Sequence, residues 1–279
     1  MACQPLGRNP LSDLAYVLWT RGDMAAARLL CERALTIRER VLGPDHPDTA
    51  QSLNNLAVLL SRLGELAAAR PLFERAVATC ERVLGPNHRD TAHALNNLAL
   101  MLHRQDRLAG GDLMERALAI RERVLGPDHP ETAHSLNNLA ELLRNQGELG
   151  TALPLLERAL AIRERVLGSD HHLTAASLNN MAALLRDQGN PTAARPLFER
   201  AIATRERVLG PDHPDTAQSL HDLAVLLDAQ SDPAAARPLL ERALAIRERV
   251  LGPDHPDTVA TRRALAELED RPDGPPAAS

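Results

Sequence analysis

An all-α solenoid of stacked antiparallel helix pairs is the fold class this sequence predicts, and three observations predict it. A block that reads LGPDHPDTA at Leu42 returns, with small changes, at Leu84, Leu125, Leu167, Leu209 and Leu251, in steps of 42, 41, 42, 42 and 42 residues. A fixed step in this range marks supersecondary units that stack, because one unit alone cannot bury its apolar face. Within each unit the apolar residues keep a helical period, and Gly and Pro punctuate the joints at the same places. Aromatic residues make up only 1% of the chain, so the core must be built from Leu and Ala with a few Val, Ile and Met.

Residues 1–9 carry no pattern and are expected to be disordered. Asn9-Pro10 has the form of a helix cap followed by proline at the first helical position, where its missing N–H costs nothing. A helix is expected from Pro10 to about Arg21, with Leu11, Leu14, Ala15 and Leu18 on one face. Gly22-Asp23 breaks it, and a second helix runs from Met24 to Val41.

From Leu42 onward each unit is built alike. The Gly of LGP suits the position just past a helix, and Pro cannot continue it. Either Asp45 or His46 can cap the next helix, Pro47 fits its first position, and Asp48 favours its positive end. This first, A-type helix runs to about Leu63. Leu53, Leu56, Ala57, Leu59, Leu60 and Leu63 share one arc of about 160°, wide enough for a helix wedged between neighbours. Gln51, Asn54, Asn55, Val58, Ser61 and Arg62 take the opposite arc. Gly64 stops the helix, and a B-type helix follows to about Leu84. It contains Pro71, matched by Pro154, Pro196 and Pro238, where a bend costing up to about 3 kcal/mol is expected.

Two units depart from the pattern. The third reads RLAGGDLMERA where its neighbour reads ELAAARPLFERA, one residue shorter and with Gly110-Gly111, which should weaken the start of its B-type helix. The last stops after one helix, and Arg262-Arg263 stand where other units have Leu-Asn, as a polar terminal cap requires. The expectation is one solenoid domain over residues 10–270, of six helix pairs and a capping helix, thirteen helices without a strand. A disordered tail, 271–279, follows.

The spacing of Leu56-Ala57, Leu60, Gly64, Leu66, Ala69, Phe73 and Ala76 resembles the tetratricopeptide signature. The longer step and the wording LGPDHPDTA…SLNNLA resemble the kinesin-light-chain subtype, over roughly Leu11 to Leu268. The resemblance implies a right-handed superhelix whose A-type helices line a concave groove for peptides or protein segments. Here Leu stands where such repeats often carry aromatics.

Composition excludes several kinds of chemistry. There is no lysine among the 32 basic residues, so a Walker A loop, a Schiff base and the kinase strand lysine are all ruled out. A net charge of −5 argues against broad nucleic-acid or membrane-surface binding. Cys3, Cys31 and Cys80 have no paired spacing, and no apolar leader or 18-residue apolar run occurs. A cytoplasmic protein without disulfides is expected.

His46, His88, His129, His171, His213 and His255 form a column, one per unit. Zinc ligands must converge within about 2.1 Å of one point, whereas packed helices lie about 8–10 Å apart. The column therefore reads as helix caps, with no metal and no cofactor. The Glu and Arg of the B-type helices, including Arg247-Glu248-Arg249, read as a solvated outer face, and Cys31, at the register of Phe73, as a small core residue. No catalytic constellation stands out, and a non-enzyme is expected.

The asparagine pairs Asn54-Asn55, Asn96-Asn97, Asn137-Asn138 and Asn179-Asn180 are different, because Asn is a poor helix former. Their amides suit the backbone of an extended peptide; alternatively they bond between adjacent A-type helices and set the stacking. Around them lie Arg62, His93, His103, Arg104, His134, Arg144 and Arg186, offset by Glu141, with Asp187 and Asp228 farther on. Tyr16 and Trp19 lie on the first helix. The expected partner is a protein with an acidic segment, gripped by Arg and Asn, with an apolar residue near Tyr16 and Trp19. The kinesin-light-chain resemblance implies the same, since that family is known for acidic cargo motifs containing tryptophan. The alternatives are a structural solenoid that associates weakly end to end, or the sensor part of a signalling system with its catalytic domain on another chain.

Overall fold

The structure, a computed structural model, describes residues 14, 15, 18, 24–106 and 108–269. The expected first helix and the tail at 271–279 fall outside the described residues, except that Leu14, Ala15 and Leu18 are helical. Among the described residues there are twelve α-helices and no strand. They fall into two compact units, Met1–Gly147 and Glu148–Ser279. The first holds α1 (Met24–Leu42), α2 (Pro47–Arg62), α3 (Leu66–Val83), α4 (Arg89–Gln105), α5 (Gly111–Leu125) and α6 (Pro130–Asn145). The second holds α7 (Leu149–Leu167), α8 (His172–Asp187), α9 (Pro191–Leu209), α10 (Pro214–Ala229), α11 (Pro233–Leu251) and α12 (Pro256–Glu269). Even-numbered helices are A-type and odd-numbered ones B-type.

The start of each A-type helix follows from the recurring block. His46 stands at the N-cap, and its Nδ1 accepts the N–H of Asp48 at 3.1 Å. His88, His129, His171, His213 and His255 accept in the same way at 3.1–3.2 Å. The histidine, and not the aspartate before it, is the cap. Three residues on, Thr49 donates its hydroxyl back to the Gly43 carbonyl at 2.8 Å, and Thr91, Thr132, Thr174 and Thr216 repeat the bond at 2.8–3.0 Å. One threonine thus closes the whole turn between consecutive helices, wholly out of contact with water.

Alanines set the spacing where helices cross. Ala57, Ala99 and Ala140 on A-type helices and Ala76 and Ala117 on B-type helices are 0% exposed in the first unit. Ala182, Ala224, Ala159, Ala201 and Ala243 do the same in the second. The place of Phe73 is taken in turn by Cys31, Met114, Leu156, Phe198 and Leu240, all buried, so one slot accepts several shapes. Pro71, Pro154, Pro196 and Pro238 each lie six residues into an unbroken helix. All four are exposed, so solvent can meet the carbonyl that proline leaves without a donor.

The reading of the B-type arginines as a solvated face needs correction. Arg247 is only 3% exposed, and Arg38, Arg121, Arg163 and Arg205 at the same register are buried as well. Each reaches into the first turn of the following A-type helix. Arg38 Nη1 donates to the Asp48 carbonyl at 2.7 Å and to Ser52 Oγ at 2.9 Å. Arg121 does so with Glu131 and Ser135, Arg163 with Leu173 and Ser177, and Arg205 with Asp215 and Ser219. Arg247 closes the series on Asp257 and Thr261. Neighbouring B-type arginines do face solvent, and pair across helices: Arg75 with Glu39, Arg116 with Glu81, Arg200 with Glu164, and Arg242 with Glu206.

In the third repeat the first turn of the B-type helix is absent, a larger change than weakening. α5 begins at Gly111, after Gly110 in the left-handed region at φ 95°. A Cβ built on Gly110 would stand 2.7 Å from the Ala99 carbonyl oxygen. Both the backbone angle and the close approach to α4 therefore demand glycine. Gly110→Ala is expected to lower the urea midpoint by several times as much as Gly43→Ala. At Gly43 a Cβ meets nothing and only the φ cost of about 1 kcal/mol applies. Equilibrium unfolding of the two variants measures the difference.

Candidate functional site

The polar arc of the A-type helices divides on folding. The first asparagine of each pair is buried: Asn54 at 4%, Asn96 at 1%, Asn137 at 3% and Asn179 at 6% exposure. This corrects the placing of those four on an open peptide-binding face. Their amides are spent inside the stack. Asn97 Nδ2 donates to Asn54 Oδ1 at 3.0 Å, and Asn138 Nδ2 to Asn96 Oδ1 at 2.9 Å. Asn137 Nδ2 turns back onto the Ala133 carbonyl at 3.0 Å. Within the first unit the pairs therefore do join adjacent A-type helices, through the first member of one and the second of the next.

The second members, Asn55, Asn97, Asn138 and Asn180, are half-buried and border the surface. Two histidines one turn earlier support them. His93 Nε2 lies 3.2 Å from Asn97 Nδ2, and His134 Nε2 lies 3.3 Å from Asn138 Nδ2. Farther along the same helices, Asn145 Nδ2 meets His103 Nε2 at 2.9 Å. Loss of water contact, and secondly the charge of Arg121, pulls the His93 pKa down to about 4. His93 is thus a neutral acceptor at physiological pH.

The arginines end these helices. Arg62, Arg104 and Arg144 lie in the last turns of α2, α4 and α6, where a cation also complements the helix dipole. Arg62 and Arg144 are half-buried and Arg104 is exposed. Arg104 donates to the Ser61 carbonyl at 3.4 Å and forms no ion pair among the described residues. In the second unit the face changes character. Arg186 is held by Asp187 at 2.9 Å. In α10 His221-Asp222 replaces the asparagine pair, and Asp222 accepts from Asn179 at 2.8 Å and Gln218 at 2.9 Å. A carboxylate cannot donate, so Asn179 becomes the donor, and its Oδ1 accepts from Ser219 at 2.7 Å. Tyr16 and Trp19 lie outside the described residues.

Among the described residues no three His, Cys, Asp or Glu side chains are grouped to hold a metal ion. No described helix is long and apolar enough to cross a membrane.

Helix pairs of this kind, alanine-spaced and repeating at a fixed step, are those of tetratricopeptide repeats. The model of that family matches residues 8–80, 55–110, 109–165, 131–206, 173–249 and 229–279, and the chain belongs to it. Its repeats are of the kinesin-light-chain-like type. A solved structure of nearly identical TPR-like repeats, assigned to a kinesin light chain of Podosopora anserina, is 28% identical. That match covers 73% of this chain and 97% of the other, with a TM-score of 0.59. BtubC (BKLC) from P. vanneervenii is 21% identical over 84% of this chain and 94% of its own, with a TM-score of 0.64. NprR in complex with its cognate peptide NprX reaches a TM-score of 0.70 at 13% identity, over 97% of this chain and 77% of that one. No match is found among curated proteins.

Two outcomes follow from this geometry. Asn96→Ala should destabilise by about 1–3 kcal/mol, since it strips a buried acceptor from Asn138. Arg104→Ala, at the exposed end of the same helix, should stay within about 0.5 kcal/mol. Urea unfolding of both variants is the measurement. The depressed His93 has a signed consequence for acid stability. The native state resists protonation here, so the unfolded state binds more protons between the ordinary histidine value of 6.5 and about 4. Its contribution is complete above pH 6.5 and is lost as pH falls towards about 4. The unfolding midpoint of His93→Gln should therefore drop less across that window than that of the parent chain.

Proposed function

We propose that this chain is a non-catalytic protein-interaction module, and that the A-type face of its first unit takes an acidic peptide segment. One observation carries the reading: Arg104 on the A-type face is exposed and forms no ion pair among the described residues, unlike the arginines of the B-type face. B-type arginines such as Arg75 and Arg116 are matched by glutamates one repeat away. On the A-type face Arg104 is exposed with only a backbone carbonyl for a partner, one helix from Arg62 and one from Arg144. A row of half-buried amides, Asn55, Asn97 and Asn138, runs beside them. Guanidinium groups bind carboxylates bidentately, and amides bind the backbone of an extended chain, so the combination suits an acidic segment. In the second unit Asn180 and Arg186 hold the same registers, but Asp187, Asp222 and Asp228 make its own A-type face less suited to carboxylates. The peptide NprX held by NprR supports only the class of ligand, since that protein shares the fold alone.

Fluorescence-labelled acidic peptides are expected to bind the full chain, and to bind more weakly as salt rises, because exposed charges are screened beyond about 10 Å at 0.1 M. Arg104→Glu with Arg144→Glu should abolish binding while leaving the helical circular dichroism unchanged. Undiminished binding by that double variant would remove the A-type face of the first unit from consideration.

A further inference from the structure

The buried arginine that reaches from each B-type helix into the next A-type helix is missing from one described seam. At the register of Arg38, Arg121, Arg163, Arg205 and Arg247, helix α3 carries Cys80. At the register of Ser52, Ser135, Ser177, Ser219 and Thr261, helix α4 carries Ala94. Both are buried, at 5% and 3% exposure. The two changes go together for a physical reason. An arginine facing Ala94 would lose its hydroxyl partner, and a serine facing Cys80 would sit buried with no guanidinium. Cys80 remains an uncharged thiol, since burial pushes its pKa up to about 11.

We propose that the α3–α4 seam is a pivot built into the first unit. Two hydrogen bonds from one guanidinium fix both the distance and the angle between helices, whereas a thiol against a methyl group fixes neither. Apolar packing is non-directional and tolerates sliding. The polar links left across this seam lie away from it. Asn97–Asn54 and Arg104–Ser61 join α4 to α2 on the A-type face, and Arg116–Glu81 is a solvent-exposed pair between α5 and α3 that constrains little. The Thr91–Gly85 and His88–Asp90 bonds are confined to the turn and the first turn of α4.

Hydrogen exchange of the full chain without ligand tests the pivot separately from the proposed function. Amides 93–99 of α4 should exchange at least about tenfold faster than 134–140 of α6 and 218–224 of α10, the factor carried by one hydrogen bond to a charged group. Cys80→Arg with Ala94→Ser should slow α4 to the rate of the tied seams, while either substitution alone should not. The reciprocal pair, Arg121→Cys with Ser135→Ala, should transfer the fast exchange to 134–140. That pair decides the matter if the first double variant fails to fold. Exchange in α4 no faster than in α6 and α10, or an unaltered α6 in the reciprocal pair, would overturn the proposal.

Discussion

Each repeat depends on how the following one is held, and at five described seams that is done by a guanidinium taken out of water. Transferring such an ion from solvent costs several kcal/mol, and the two hydrogen bonds it makes return about 1.5–3 kcal/mol each. The sum is close to zero. The arginine therefore does little for stability; what it supplies is register, because only one rotation of the A-type helix brings both its first-turn carbonyl and its serine under the same Nη1. The cost is visible elsewhere. Burial lowers the pKa of all five arginines, that of Arg163 to about 10. The Nε atoms of Arg121, Arg163 and Arg205 have no hydrogen-bond partner.

Once the register is set, the A-type face follows. The serine bonded by the arginine lies two residues before the first asparagine of the pair, so the rotation that brings Ser135 to Arg121 is also one that holds Asn137 inward and Asn138 at the border. The amide ladder is then a consequence of stacking as much as a provision for a ligand. It leaves the second asparagines half-buried, at the border of the face. Where α10 brings His221-Asp222 to these places, the ladder survives only by reversing its donor. Local substitutions can thus change the face's charge without breaking the stack.

Much of this was legible in the chain. Outside the third repeat, the 42-residue step, the Gly-Pro joints and the alternation of the described helices emerge within a residue or two of their expected ends, because each is set by local backbone chemistry. The histidine column read as caps, and the choice between Asp45 and His46 needed only the positions of atoms in one turn. The asparagine pairs were harder. Helical periodicity places Asn54 and Asn55 on one polar arc, 100° apart, and cannot tell which of them the neighbouring A-type helix covers.

Sequence by itself therefore determined the step and order of the repeats and their helix type, since these rest on contacts within a few residues. Tertiary structure alone decided which polar groups were withdrawn from water. Arg247 and Arg249 look alike in the chain, both in the run Arg-Glu-Arg, yet the first is buried under a threonine and the second pairs with Asp212 in solvent. The difference is the position of the next helix, 10 to 14 residues away, and no local pattern contains it.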